Sequence, residues 1–338
     1  MTISACTSSK DGKSIYAASE STILAVIGDE HTPRIRVFAQ ETIKTDPRRP
    51  PDGTIRCLTL LPDEKELAVV TDDKTLWILK VDTLETKSTR TLPRRACAIT
   101  CADAERLLIA DKFGDVYSYP MCTQNSEEEV DSIRSTSDGG RLELGHVSMV
   151  LDMAMTKVEI DGSMQSLVLT CDRDEHVRAT RWPETYDIYS FMLGHDSFVS
   201  AVCAEWERVF SAGGGVIIEW NVITSEPVHK WTVSDSPVKQ LVMFHGVAIA
   251  IIEREHEILV LDTDEARKIS MDGNVTSMCC TNDHIFVAVD NETALVTFDT
   301  SFSRCSMPHI DAIRRGDCPR TPYTDSIVYP FGSTGRHN

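Results

Sequence analysis

A cadence of β-type run, turn, β-type run, Asp- or Gly-rich turn and β-type run returns about every 35 to 40 residues along this chain. Few folds tolerate such a period. The first unit joins SIYAASESTILAVI to IRVFA, Ser14 to Ala39, and the second runs from Thr54 to Glu85. The third begins at Ala96, the fourth covers Gly145 to Pro183, the fifth Gly194 to Trp231, the sixth Pro237 to Ser270 and the seventh Asn274 to Arg304. A unit this short cannot bury its apolar faces alone, so neighbouring units must stack to make the core. The runs are rich in Val, Ile, Leu and Thr, and no helical period competes with them. The chain therefore reads as all-β, and its units as the blades of a propeller. Because ring closure removes free sheet edges, we expect one domain over residues 1–307, with seven four-stranded blades and the N- and C-terminal strands meeting in one blade.

Two units carry the marks of a WD repeat. In such a blade a Gly-His pair precedes the inner strand. The His, a Ser or Thr and a turn Asp then share a hydrogen-bond network with a Trp on the third strand, which offsets the burial of their polar groups. The fourth unit has Gly145-His146, with Asp174 read as the turn residue and Thr180 at the Trp place. The fifth has Gly194-His195, Ser211 and Trp220, with Gly214 read at the Asp place. No Trp-Asp dipeptide occurs, so the repeats are degenerate. The fold class that follows is a seven-bladed WD-repeat β-propeller.

Two segments interrupt the cadence. Residues 120–143 are polar and acidic and read as a loop insertion between the third and fourth units. Residues 308–338 are rich in breakers and read as a partly disordered tail.

Charge and cysteine usage narrow the function. With 52 Asp and Glu against 34 Lys and Arg, the formal charge of −18 repels a phosphate backbone. Nucleic acid must then be met through a partner or a local patch. Arg48-Arg49, Arg94-Arg95 and Arg314-Arg315 with Arg320 are the basic clusters, each read as a solvated loop pair. The 11 cysteines are odd in number, scattered and without a C-x-x-C pair, so they read as buried thiols and not as a disulfide framework. On a strand, Cys97 and Cys101 stand about 13 Å apart, too far to share a zinc ion. Neither a membrane-length apolar run nor a secretory leader is visible, and the sequence reads as that of a soluble intracellular protein.

Signatures of catalysis are absent from the sequence. Asp11-Gly12-Lys13-Ser14 lacks the first glycine of a phosphate loop and reads as a hairpin turn. Gly213-Gly214-Gly215 has no Lys-Ser after it, and neither a G-x-S-x-G elbow nor an H-E-x-x-H pair occurs. His146 and His195 read as structural because of the glycine before each. One stretch is denser in charge than a blade turn needs: CDRDEHVRATRWP, Cys171 to Pro183. Asp174 is read there as the turn residue, while Arg173, Glu175 and Arg178 are candidates for charge-assisted pairing with another protein. Strand alternation is expected to turn Arg178 away from the packing that holds Val177, so that it reaches outward.

GHVSMVLDMAM (Gly145 to Met155) followed by LTCDRDEHVRATRWPETYDIYSFMLGHDSFVS (Leu169 to Ser200) resembles the WD-repeat non-catalytic subunit of the tRNA guanine-N7 methyltransferase. LPRRACAITCADAERLLIADKFGDVYSYP, Leu92 to Pro120, supports the resemblance. It implies a heterodimer with a separate catalytic subunit that binds S-adenosylmethionine and tRNA and forms N7-methylguanosine in the variable loop. This chain would then hold no cofactor or metal, would meet tRNA mainly through the partner, and would be nuclear, with the cytoplasm as a second location. The resemblance places the contact at Arg173, Asp174, Glu175, His176 and Arg178. Where His176 stands, the family often has Lys. The alternatives are a propeller adaptor or assembly scaffold of another complex, and, with no motif behind it, a propeller enzyme with a site in its channel.

Overall fold

The computed structural model describes residues 3–28, 34–37, 53–121, 135–262, 265–291 and 294–307. Its 28 strands form seven four-stranded antiparallel sheets, each in sequence order. The blades run from Ala5–Ser8 to Arg34–Val37, Ile55–Leu60 to Thr86–Thr91, Ala96–Cys101 to Arg141–Gly145, and Val150–Ile160 to Ile188–Leu193. They continue from Val199–Glu205 to Glu226–Thr232, Val238–Phe244 to Arg267–Ser270, and Val275–Cys280 to Arg304–Cys305. The first strand of each blade packs against the first strands of its neighbours, including Ala5–Ser8 against Val275–Cys280, so these strands surround the central axis.

Middle strands are buried on both faces, because every blade is covered by two others. Leu67 through Thr71 and Ala248 through Ile252 are buried without a break, so they read as apolar runs and not as an alternation. Outer strands such as Thr86–Thr91 are largely exposed. Apolar clusters fill each junction between consecutive blades. That between blades 4 and 5 includes Leu169, Val177, Ile218 and Trp220, and that between blades 7 and 1 includes Phe286, Leu295, Ile15 and Leu24.

Ring closure differs from expectation. Among the described residues blade 1 is built wholly from N-terminal strands and blade 7 from C-terminal ones, and no blade is shared by the two ends. Apolar packing between blades 7 and 1 closes the ring. The acidic insertion also lies inside blade 3 and not between blades. Its described end forms a bridge from Ser135 to Arg141, and Arg141–Gly145 is the outer strand of that blade. The first strand, Ala5–Ser8, lies before the first unit read from the sequence because ACTS is polar and short. The tail after 307, Arg48-Arg49 and Arg314-Arg315 lie outside the described residues.

Bulges near the start of the inner strands aim one side chain at the next blade. At this position Cys97 donates its thiol to the Val150 carbonyl at 2.9 Å and Ser200 its hydroxyl to the Val238 carbonyl at 2.5 Å. Cys97 is thus an inter-blade tie. Arg94 lies over the Phe113 ring at 3.9 Å and Arg95 pairs with Asp72 at 3.4 Å, so both members of this basic pair are engaged. Residues 11–13 lie in the turn between the first two strands, with the Asp11 carboxylate accepting from Lys13 N at 3.0 Å, and Ser14 opens the second strand.

Candidate functional site

The charged stretch is the hairpin between the second and third strands of blade 4, Ser163–Asp172 and His176–Trp182. Asp172, not Asp174, is the structural turn residue. Its Oδ1 accepts from Asp174 N at 2.9 Å and His176 N at 3.1 Å, and its Oδ2 meets His146 Nδ1 at 2.8 Å. His146 Nε2 lies 2.8 Å from the Thr170 hydroxyl. Sequence reading misplaced the Asp by two positions because a run of three acids offers several candidates; the strand register separates them. Burial pushes the Asp172 carboxyl up, but its bonds to His146 and His176 outweigh this and leave it below the usual range. Burial also pushes His146 down, with Asp172 opposing.

Arg173, Asp174 and Glu175 are exposed and His176 is half-buried, so these four side chains are available on one face of the ring. Glu175 has a φ of 72°, in the left-handed region. At the same place in blade 3 stands Gly114, with a φ of 97°. A side chain is thus kept where the backbone favours glycine.

Arg178 corrects the expectation of an outward-reaching side chain. It is 6% exposed, and its Nη1 donates to the Gly145 carbonyl of blade 3 at 3.0 Å. Alternation does turn it away from Val177, but in a propeller that opposite face meets the neighbouring blade. Nε and Nη2 of Arg178 have no hydrogen-bond partner among the described residues. Burial pushes the guanidinium down, with Asp172 opposing. In the register of blade 5, Ile218 pairs with Ser211 as Arg178 pairs with Thr170, and Trp220 stands at the place of Thr180. Blade 4 therefore carries Arg and Thr where blade 5 carries Ile and Trp.

Beside this cluster the sequence reading missed an apolar strip on the outer strand Ile188–Leu193. Phe191 pairs in register with Arg178 and Leu193 with His176; they are 45% and 62% exposed. The His176 and Phe191 rings meet edge-on at 6.3 Å. Both apolar residues belong to the F-x-L-G-H run that precedes blade 5. The signal was present as a motif, but strand pairing was needed to set it against the charged hairpin.

Blade 5 holds the second WD network. Ser211 accepts from Trp220 Nε1 at 2.7 Å and lies 2.7 Å from His195 Nε2. Gly213, not Gly214, takes the Asp place, since Val199 pairs with Gly213 as Val150 pairs with Asp172. A Cβ on Gly213 would lie 2.5 Å from His195 Nδ1, so the imidazole uses the space that an Asp stem would fill.

The described residues contain no group of three or more His, Cys, Asp or Glu arranged to hold a metal ion, and no helix long and apolar enough to cross a membrane. The sequence model of the tRNA methyltransferase TRM82 WD40 domain matches residues 11–141 and 137–316. A tRNA (guanine-N(7)-)-methyltransferase non-catalytic subunit TRM82 from Candida glabrata is 34% identical over 220 residues, 61% of this chain and 50% of that protein. The protein of the same name from Eremothecium gossypii is 37% identical over 175 residues, 48% of this chain and 36% of that one. The chain thus spans half or less of the length of these relatives. Among solved structures, the WD40 repeats of RRP9 superpose with a TM-score of 0.66 at 12% identity, covering 86% of this chain and 87% of theirs, a likeness of fold alone. With the family model matching from blade 1 past blade 7, this chain belongs to the TRM82 WD40 family.

Proposed function

We propose that this propeller is a non-catalytic subunit that binds and stabilises the catalytic subunit of a tRNA (guanine-N7)-methyltransferase as a heterodimer, through Arg173, Asp174, Glu175, His176 and Arg178. S-adenosylmethionine then resides on the partner, and tRNA is engaged mainly there, as a chain of charge −18 favours. The nucleus is the proposed location. The observation that carries the reading is Arg178. A buried guanidinium with two unpartnered nitrogens is costly in isolation and suits an arriving carboxylate, with which Arg forms bidentate bonds. Phe191 and Leu193 add an apolar margin to the charged hairpin.

Titrating the catalytic subunit onto the full chain tests this. Arg178→Glu should weaken association by about 30-fold to several thousand-fold, the cost of leaving a buried partner charge unpaired. Since that variant also disturbs blade 4, Arg178→Ile is the control. It copies Ile218 of blade 5, and replacing a buried charge by an apolar residue is commonly neutral or stabilising. A retained melting temperature with lost association supports the contact. Wild-type association by both Arg178→Ile and an exposed Arg173→Glu variant would overturn it.

A further inference from the structure

Blade 5 presents an open pocket of about 150 Å³ on the same face of the ring as the blade 4 hairpin. The glycine run 213–215 forms one wall, and His195, Asp196, Ser197, Val216 and Lys230 line the rest. In blade 4 the corresponding histidine nitrogen, His146 Nδ1, is met by the Asp172 carboxylate at 2.8 Å. In blade 5 the carboxylate is missing, and His195 Nδ1 has no partner although the residue is 6% exposed.

Hydrogen-bond counting fixes what this nitrogen offers. Ser211 accepts the Trp220 N–H, and its own hydroxyl proton has one acceptor in reach, His195 Nε2. The imidazole proton then sits on Nδ1. His195 thus brings an unused donor, and exposed Lys230 an ammonium, to the lining of one pocket, so its complement is an anion and not a cation. Burial, and after it Lys230, hold the imidazole pKa down at about 4, so the ring is a neutral donor near pH 7. One cation and one neutral donor, with Asp196 at the rim, suit a monoanion better than a dianionic phosphate.

We infer that the blade 5 pocket is a carboxylate-binding site, in which His195 Nδ1–H and Lys230 receive an acidic side chain of the bound protein partner where blade 4 uses its own Asp172. The partner as source rests on the function proposed above. The two hairpins occupy equivalent positions in adjacent blades, so a protein seated on residues 173–178 has the pocket one blade away.

Sodium acetate is the probe for the site itself. In the 15N-labelled full chain at pH 7, acetate should shift the His195 ring signals and the Trp220 indole signal saturably, with a Kd on the order of 10 mM. Chloride at equal ionic strength should not. Lys230→Glu, at an exposed position, should keep the melting temperature, lose the acetate response, and weaken association with the catalytic subunit about tenfold. Acetate shifts no larger than those of chloride, shifts that survive Lys230→Glu, or tighter binding of inorganic phosphate would overturn the site. An intact acetate response with wild-type association of Lys230→Glu would overturn the partner as its occupant. If the unaltered chain fails to bind the catalytic subunit at all, the proposed function falls while the acetate titration still decides the pocket.

Discussion

Blades 4 and 5 hold the same four-residue network with a different member missing from each. Blade 4 keeps His146, Thr170 and Asp172 but has Thr180 for the Trp. Blade 5 keeps His195, Ser211 and Trp220 but has Gly213 for the Asp. The losses are not equivalent. Without the Trp, blade 4 accommodates a buried Arg178 beside Thr180, and without the Asp, blade 5 leaves an unpartnered nitrogen on a histidine that lines a pocket. One blade lost apolar filling and the other lost charge. Each loss leaves unpaired donors near the same face, where a partner can supply acceptors.

The largest expected effect tests whether the two third strands differ as this comparison says. Trp220 is fully buried in the junction of blades 4 and 5, and Trp220→Ala should cost about 3–5 kcal/mol. At the same lattice point Thr180 has a buried hydroxyl without a partner, so Thr180→Ala should fall within about 0.5 kcal/mol of neutral or stabilise slightly. Urea unfolding of both variants checks this. Equal losses at the two sites would break the comparison.

Acid should separate the two histidines next. A His whose folded pKa is depressed contributes stability present above the unfolded value near 6.5 and lost as pH falls toward the folded value. For His195 that window runs from about 6.5 to about 4, with a loss of up to about 3 kcal/mol across it. Asp152 works in the other direction. Burial raises it to about 6, so its contribution is full below the ordinary carboxylate value and lost as pH rises through 6. The test is therefore the difference between wild type and His195→Gln in melting temperature from pH 7 to pH 4. The variant should lose less over that range, and parallel curves would refute the assignment.

Much of the fold was legible because every blade repeats one physical problem, a sheet covered on both faces, and so repeats one apolar pattern. What the sequence could not show was which residues share a register. DRDE offers three acids for one turn position, and only the pairing of Val150 with Asp172 selects among them. The same gap hid Phe191, which is 13 residues from Arg178 in sequence yet opposite it across a strand pair. Arg178 misled for a different reason. Alternation predicts its side correctly, but the solvent expected on that side is, in a ring, the next blade. Ring closure was misjudged because a shared blade and apolar packing of complete blades can each close the ring.

Removing the carboxylate from blade 4 asks whether it then behaves as blade 5 does. In Asp172→Gly, His146 Nδ1 and the N–H groups of Asp174 and His176 lose their acceptor, which should cost about 1–3 kcal/mol. The same variant should acquire an acetate response at His146. Its absence would mean that a missing Asp alone does not create a carboxylate site, and that the glycine run and Lys230 are needed too.

The smallest effect on stability is expected at Glu175, and it sharpens the reading of blade 4 most. Its φ of 72° lies where L side chains are strained and glycine is at ease, as at Gly114 of blade 3. Glu175→Gly relieves that strain but also enlarges the freedom of the unfolded chain, and the two terms oppose each other at about 0.4–1 kcal/mol each. The net change in unfolding free energy should therefore stay within about 0.5 kcal/mol. Gly114 ends a turn of the same length in blade 3, so a glycine here makes those two turns alike without disturbing the strands. If Glu175 is retained for its charge at the partner face, the variant should bind the catalytic subunit about 2- to 10-fold more weakly, as rim charges do, and lose part of the salt dependence of association. Unchanged affinity and unchanged salt dependence would leave Arg173, Asp174, His176 and Arg178 to carry the contact and remove Glu175 from it.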